Sequence, residues 1–310
     1  MNLAPHSVTL RQLQYVVALA DRKSFRKAAA ACRVSQPSLS TQVAQVEGAL
    51  GVKLFERDRR SVRSTAAGLA VVERARALIV AADELHESAR RLADPFGGTL
   101  RVGVIPTVGP YLLAEVAPVL RERYPKLTFV WAEEKTKIVL ERLANAELDA
   151  AIVALEAEIG DLPHVVLGKD PFVFAAPPGH PLAASKRPLK PEDLEGERVL
   201  LLDDGHCFRD QALSFCARAG AEEAGYRATS LPTLVQMAAG GAGVTLLPSL
   251  AVDLENRREA LRIRPFAPKA PSRTLAIVGR KGSALETALT AVGETLRGTY
   301  ARFGAKAGRR

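Results

Sequence analysis

Cysteine is scarce in this chain, with three in 310 residues, too few for the disulfide framework of a secreted protein. No run of about 18 apolar residues occurs, the length a helix needs to span a bilayer, so no membrane contact is expected. Met1 to Gln12 holds no basic patch followed by an apolar stretch, and we expect no secretory signal there. Cys-x-x-Cys is absent too, which argues against a thioredoxin-like enzyme. Cys-x8-Cys is not a usual zinc spacing, which weighs against a metal; no organic cofactor is expected either. Together these absences point to the reducing cytoplasm, where a disulfide is transient and regulatory. A hydrophobic content of 47% with 25% charged residues is ordinary for a globular protein, and the length allows two or three domains.

Charge is present but unevenly placed. The chain carries a net +9, of which residues 1–65 hold +7 and residues 66–97 hold −1. The tail residues Arg302, Lys306, Arg309 and Arg310 leave the stretch 98–299 nearly neutral. A basic head on a neutral body suggests a polyanion-binding module joined to something else.

The head has a helical pattern. Leu10, Leu13, Val16, Val17 and Ala20 repeat at helical spacing over residues 9–22, and a second helix follows from a Ser24 cap through Phe25, Ala28 and Ala29. Cys32 ends it as a packing residue. After the turn Arg33-Val34-Ser35, a third helix is expected with Ser35 as cap and Pro37 in its first turn. Leu39, Val43, Val46 and Leu50 would face the core, and Gln36, Ser38, Thr41, Gln42 and Gln45 would face outward. Two helices with a short turn make a helix-turn-helix, whose second helix reads base edges in the major groove of double-stranded DNA. The next segment reads as a two-stranded wing with Lys53, Arg57, Arg59, Arg60 and Arg63 for phosphates.

Residues 65–92 form a long pattern without proline, with Leu69, Val72, Ala75, Leu78, Ala81, Leu85 and Ala89 at intervals of three and four. Such a helix usually pairs with a copy of itself, giving a homodimer and a two-fold DNA site. Asp94 to Gly98 reads as a hinge. Beyond it, strand and helix patterns alternate: strands at 100–106, 127–133, 148–155, 172–178, 198–204, 226–230, 244–248 and 275–280, with helices near 111–123, 136–146, 234–239 and 285–300. We expect an α/β protein with mostly parallel sheets, crossing between two lobes near Lys169 and returning near Pro268. A crevice between such lobes suits a small ligand.

Residues 201–220, LLDDGHCFRDQALSFCARAG, read as one short helix, over Arg209 to Ala219, with a thiol at each end. Nine helical residues separate two Cα atoms by about 13 Å, whereas a disulfide needs them within roughly 7 Å. A Cys207–Cys216 bond would therefore break the helix. His206, Arg209 and a helix N-terminus favour thiolate at Cys207, while Cys216 lies in the apolar pattern. Two small buried hydrophobes would fit the same residues.

The head resembles the winged helix-turn-helix of LysR-type transcriptional regulators. The motifs are Ser24-Phe25-x-x-Ala28-Ala29, Val34-Ser35-Gln36-Pro37-Ser38-Leu39-Ser40, Leu50-Gly51-Val52-Lys53-Leu54-Phe55-Glu56-Arg57 and Thr65-x-Ala67-Gly68. In the body, GVIPTVGPYLL, PKLTFVWAEEKT, GHCFRDQALSFC and RATSLPTL with GAGVTLLP resemble the OxyR-type hydrogen peroxide sensors. The resemblance implies a DNA-binding domain over 1–64, a dimerising linker helix and hinge over 65–97, and a periplasmic-binding-protein-like regulatory domain over 98–310. Its two Rossmann-like lobes would take about 98–168 with 268–300, and about 169–267. It implies a peroxidatic Cys207 and a resolving Cys216, matching the order reached from the residues. Thr107, Thr136, His206 and Arg273 would surround the peroxide, and Arg209 and Asp210 would hold the redox segment in its reduced geometry. It also implies an activator acting as a homotetramer built from two kinds of dimer, with RNA polymerase and a thiol-reducing system as further partners. Two rivals are a regulator answering a small organic inducer in the crevice, with incidental cysteines, and a thiol peroxidase that happens to bind DNA.

Overall fold

The computed structural model describes residues 7–57, 62–184, 187–268 and 270–307. It divides into two compact units, Met1–Arg90 and Arg91–Arg310.

In the first unit, α1 (Leu10–Arg22), α2 (Phe25–Cys32) and α3 (Gln36–Leu50) pack around Val16, Leu19, Ala28, Leu39, Val43 and Val46. Each helix starts where a hydroxyl meets an orphan amide: Thr9 accepts from Gln12 N, Ser24 from Lys27 N and Ser35 from Ser38 N. The wing is an antiparallel pair, β1 (Phe55–Arg57) and β2 (Val62–Ser64). The long helix α4 (Ala66–Ala93) follows at once. The Thr65 hydroxyl donates to Lys53 O at 2.7 Å and accepts from Gly68 N at 2.9 Å. A Cβ at Gly68 would meet Leu54 O at 2.0 Å, so only glycine lets α4 lie this close to the wing. Leu50 departs from expectation. It is 43% exposed, and its place on the buried face of α3 is taken by Glu47. Along α4, Val72 and Ala75 are buried, while Leu69, Leu78 and Leu85 are exposed.

The second unit is a mixed α/β body. Its elements are β3 (Gly98–Val104), α5 (Gly109–Arg123), β4 (Leu127–Glu133), α6 (Thr136–Ala144), β5 (Ala150–Ala154), β6 (His164–Ala176) and α7 (Pro181–Ala184). A single 3-10 turn, Pro191–Leu194, leads into β7 (Arg198–Leu202), α8 (Cys207–Arg218), β8 (Glu222–Ala228) and α9 (Leu231–Ala239). The chain closes with β9 (Val244–Pro248), α10 (Ser249–Glu255), β10 (Arg262–Pro265), β11 (Ser272–Gly279) and α11 (Glu286–Ala307). The sheet order is β4-β3-β5-β11-β6-β9-β7-β8, with β10 on β6.

The expectation of mostly parallel sheets needs correcting. Pairings within β3–β4–β5 and β7–β8–β9 are parallel, but every pairing made by β6 or β11 is antiparallel. The reason is topological. β6 and β11 run through the middle of the sheet, linking two α/β lobes, and a strand that crosses outward must be matched by one that returns. β6 begins at His164, well before the apolar run at 172 that marks it in the sequence, because its first half alternates in burial. α7, α10 and β10 are additions to the expected elements. The helix of the two thiols starts at Cys207, two residues before the expected Arg209, and ends at Arg218.

Candidate redox site

The helix α8 is defined by its ends. Gly205 has φ +90°, a conformation L side chains rarely adopt, and it turns the chain out of β7. His206 follows in an extended N-cap conformation, and Arg209 N donates to His206 O at 2.9 Å. Asp210 in the first turn and Arg218 in the last suit the helix dipole. At the far end, Gly220 with φ +73° stops the helix.

Both thiols are free. Cys207 is buried but lines a crevice of about 960 Å³, together with Thr136, Phe172, Gly205, Asp210 and Ser272. Cys216 does not reach this crevice. It is 2% exposed, and burial pushes its thiol up to about 12. The helix keeps the two residues about 13 Å apart along its axis.

Charged groups converge on the Cys207 end. His206 is 3% exposed. Its Nε2 lies 3.1 Å from Asp203 Oδ1, and the Thr229 backbone also faces the ring. Burial and then the Lys135 ammonium push the imidazole below its usual range, against the pull of Asp203. Lys135 Nζ donates to both Asp203 carboxylate oxygens at 3.0 Å and to Asp204 O at 2.8 Å. Arg209, also buried, donates to Asp204 Oδ1 at 3.0 Å and reaches both Glu223 oxygens at 3.0 and 3.2 Å. Arg227 joins Asp204 and Glu223 from the other side. Asp210 stays exposed on the crevice wall and makes no ion pair among the described residues.

Arg273 is fully buried. Its Nη1 donates to the Thr107 hydroxyl at 2.6 Å, its Nη2 to Thr107 O at 2.8 Å and its Nε to Asp170 at 3.0 Å. Burial raises the Asp170 carboxyl, opposed by Arg273 and the Leu250 amide. The guanidinium also lies over Phe208 at 5.6 Å, so the Thr107–Arg273 pair touches the residue next to Cys207. Of the residues marked from the sequence, Thr107 and Arg273 bond directly, Thr136 and Cys207 share the crevice, and His206 and Arg209 sit in the ion network beside it. Lys135, Asp203 and Asp170 escape sequence reasoning. Asp170 has a readable signal, a lone acid inside an apolar strand. Lys135 has none, because its partners lie 68 and 69 residues away. Gln211 escapes it as well; its amide atoms are buried without a partner.

On the first unit, Arg33 caps α2 with φ +56° and is exposed. Ser35, Gln36, Pro37, Ser38 and Thr41 form an exposed face at the start of α3. Gln42 is half-buried and, with Gln45, accepts from Gln12 Nε2, so α1 orients that face. Lys53 is 77% exposed and pairs with Glu47 at 2.8 Å. Glu47 also accepts from Leu54 N and Phe55 N, fastening the wing to α3. Arg57 lies in β1; Arg59 and Arg60 fall outside the described residues.

Comparisons with known proteins agree with this anatomy. Residues 10–69 match the bacterial regulatory helix-turn-helix protein of the lysR family, and residues 93–301 match the LysR substrate binding domain. The hydrogen peroxide-inducible genes activator of Pectobacterium carotovorum subsp. carotovorum is 43% identical over 291 residues, covering 94% of this chain and 96% of that protein. The DNA-binding transcriptional dual regulator OxyR of Escherichia coli K12 is 42% identical, covering 94% and 95%. A full-length OxyR variant from Pseudomonas aeruginosa superposes with a TM-score of 0.73 at 35% identity, covering 94% of this chain and 96% of that one. A Corynebacterium glutamicum OxyR mutant with hydrogen peroxide bound gives 0.67 at 32% identity, covering 97% and 95%. The chain belongs to the LysR family of bacterial transcriptional regulators, in its OxyR branch.

Proposed function

We propose that this protein is a DNA-binding transcriptional activator that senses hydrogen peroxide and switches through a reversible Cys207–Cys216 disulfide. The observation that carries the reading is the asymmetry of α8, with one free thiol on a crevice and the other in the apolar interior. In the first step the Cys207 sulfur attacks one peroxide oxygen and the O–O bond breaks. Cys207 becomes a sulfenic acid, and the departing hydroxide takes the thiol proton and leaves as water. Thr136 faces the same crevice, and His206, directly before Cys207 at the start of α8, is an imidazole suited to moving that proton. Arg273, aimed by Asp170 through its Nε, presents the Thr107 hydroxyl and adds positive charge where the leaving oxygen becomes negative. In the second step Cys216 attacks the Cys207 sulfur, the S–S bond forms, the S–O bond breaks and a second water leaves. α8 cannot remain intact, so the redox event is a conformational one. A cellular dithiol returns two electrons and resets the pair.

DNA is read by the exposed face of α3 from Gln36 to Gln42, with Arg33, Lys53, Arg57, Arg59 and Arg60 on the phosphates. Self-association through α4, where Leu69, Leu78 and Leu85 are exposed, supplies the second recognition helix of a two-fold site. RNA polymerase, a tetrameric state, regulation rather than catalytic turnover and a cytoplasmic location belong to the same reading. Among the described residues no helix is long and apolar enough to cross a membrane.

The test follows both thiols by mass spectrometry before and after one equivalent of hydrogen peroxide, with DNA footprints on the same samples. A Cys207–Cys216 disulfide with an altered footprint is expected. Free thiols, or a disulfide with an unchanged footprint, would overturn the reading and leave an organic inducer in the crevice, to which Cys207→Ser would still respond.

A further inference from the structure

The clasp on the Cys207 turn comes from a distant part of the fold. Lys135 sits between β4 and α6, directly before Thr136, while Asp203 and Asp204 leave the end of β7. In the sheet, β4 stands at one end and β7 next to last at the other. Lys135 nevertheless bonds to both Asp203 oxygens and to Asp204 O. Its Cδ would lie 3.1 Å from a Cβ at Gly205, so the stem of the lysine also rests against the turn. One side chain thus holds the wall that carries Thr136 against the segment that carries His206 and Cys207.

We propose that Lys135 is a positioning residue that clasps the redox segment in its dithiol form and thereby sets its reduction potential; this rests on the disulfide switch described above. The coupling to α8 runs through Asp204. Its carbonyl accepts from Lys135, and its carboxylate accepts from Arg209 in the first turn of α8. When Cys207 moves to Cys216 that turn unwinds, Arg209 leaves Asp204, and the loop that Lys135 grips loses its support. The clasp therefore stabilises the dithiol and not the disulfide. Removing it favours the disulfide, and the potential moves to more negative values. Lys135 also acts on His206, which faces Lys135 from the α6 side, Asp203 from its own loop and Thr229 from the end of β8. Without the ammonium, the imidazole holds its proton to higher pH.

The experiment equilibrates the full-length protein in glutathione buffers of graded potential. It reads the dithiol fraction by alkylation and mass spectrometry in wild type, Lys135→Met, Lys135→Arg and Asp203→Asn. Lys135→Met and Asp203→Asn are expected to shift the equilibrium about tenfold toward the disulfide, a midpoint about 30 mV more negative, and Lys135→Arg to stay at the wild-type midpoint. The acid limb of the rate of Cys207 oxidation by peroxide should move to higher pH in Lys135→Met, which a purely structural loss does not produce. An unchanged midpoint in Lys135→Met, with a normal disulfide in wild type, overturns the clasp alone. Absence of the disulfide in wild type overturns the switch and the clasp together. Should Lys135→Met fail to fold, the nearly isosteric Asp203→Asn decides in its place: a shifted midpoint supports the clasp, and an unshifted one overturns it.

Discussion

At its amino end α8 is held by charge, and at its carboxyl end by apolar packing. Around Cys207 the fixed groups are Lys135, Asp203, Asp204, Arg209, Glu223 and, through Phe208, the buried Arg273–Asp170 pair. Around Cys216 they are Phe215, stacked edge-on against Phe266 at 5.1 Å, and the neighbouring Ala212 and Ala219. Ion pairs with exposed members such as Asp204 trade readily for water. A buried aromatic cannot leave without exposing its area. Opening the amino end breaks those pairs and also draws Phe208, 1% exposed and edge-on to Phe172 at 4.9 Å, from the core; in the proposed switch Cys207 travels while Cys216 waits. The crevice runs along α8 past Asp210, Ser214 and Phe215, but of the two thiols it reaches only Cys207.

The largest effect is expected at the deepest anchor of the charged end. Arg273→Met leaves Asp170 buried without its cation, and the regulatory unit should lose about 3–5 kcal/mol in chemical denaturation. Adding Asp170→Asn to that variant should recover part of the loss, because the stranded charge is gone. A loss under about 1 kcal/mol would mean that the pair is not the anchor its burial implies. The next effect separates the two ends. Phe215→Ala should cost about 3 kcal/mol at any salt concentration, whereas Arg209→Ala should cost about 1–2 kcal/mol and less in about 1 M salt. Equal salt sensitivity of the two would erase the distinction between the ends.

Much of this is legible in the sequence, for physical reasons that differ by region. The caps Ser24 and Ser35 and the start of the wing can be read because capping and turn chemistry are local. The strands β4 and β9 match their sequence patterns residue for residue, since short apolar runs bounded by breakers carry their own limits. Leu50 and Glu47 exchange places because helical periodicity cannot tell a buried apolar residue from a carboxylate that satisfies two backbone amides and a lysine. The antiparallel pairings of β6 and β11 are invisible for a related reason: strand direction depends on which strands meet, not on either sequence. At the candidate site, Cys207, His206 and Arg209 are neighbours in the chain and can be found together. The Lys135 clasp joins segments 68 residues apart, and no local pattern announces it.

The smallest expected effect tests how dry the Cys216 end is. Its thiol is pushed by burial from an ordinary 9.0 to about 12. A folded-state value above the unfolded one gives stability that is complete below pH 9 and is lost as pH rises through about 12. Tyr111 and Tyr300 are raised as well, from an ordinary 10.0, so they act mainly above pH 10. Between pH 9 and 10 the Cys216 contribution dominates this comparison, and wild type should lose about 1 kcal/mol more than Cys216→Ala over that interval. Urea unfolding of both proteins at the two pH values reads the difference. Parallel losses would mean that water reaches Cys216 in the folded state, and the contrast between a wet, charged end and a dry, apolar one would fail at its simpler half.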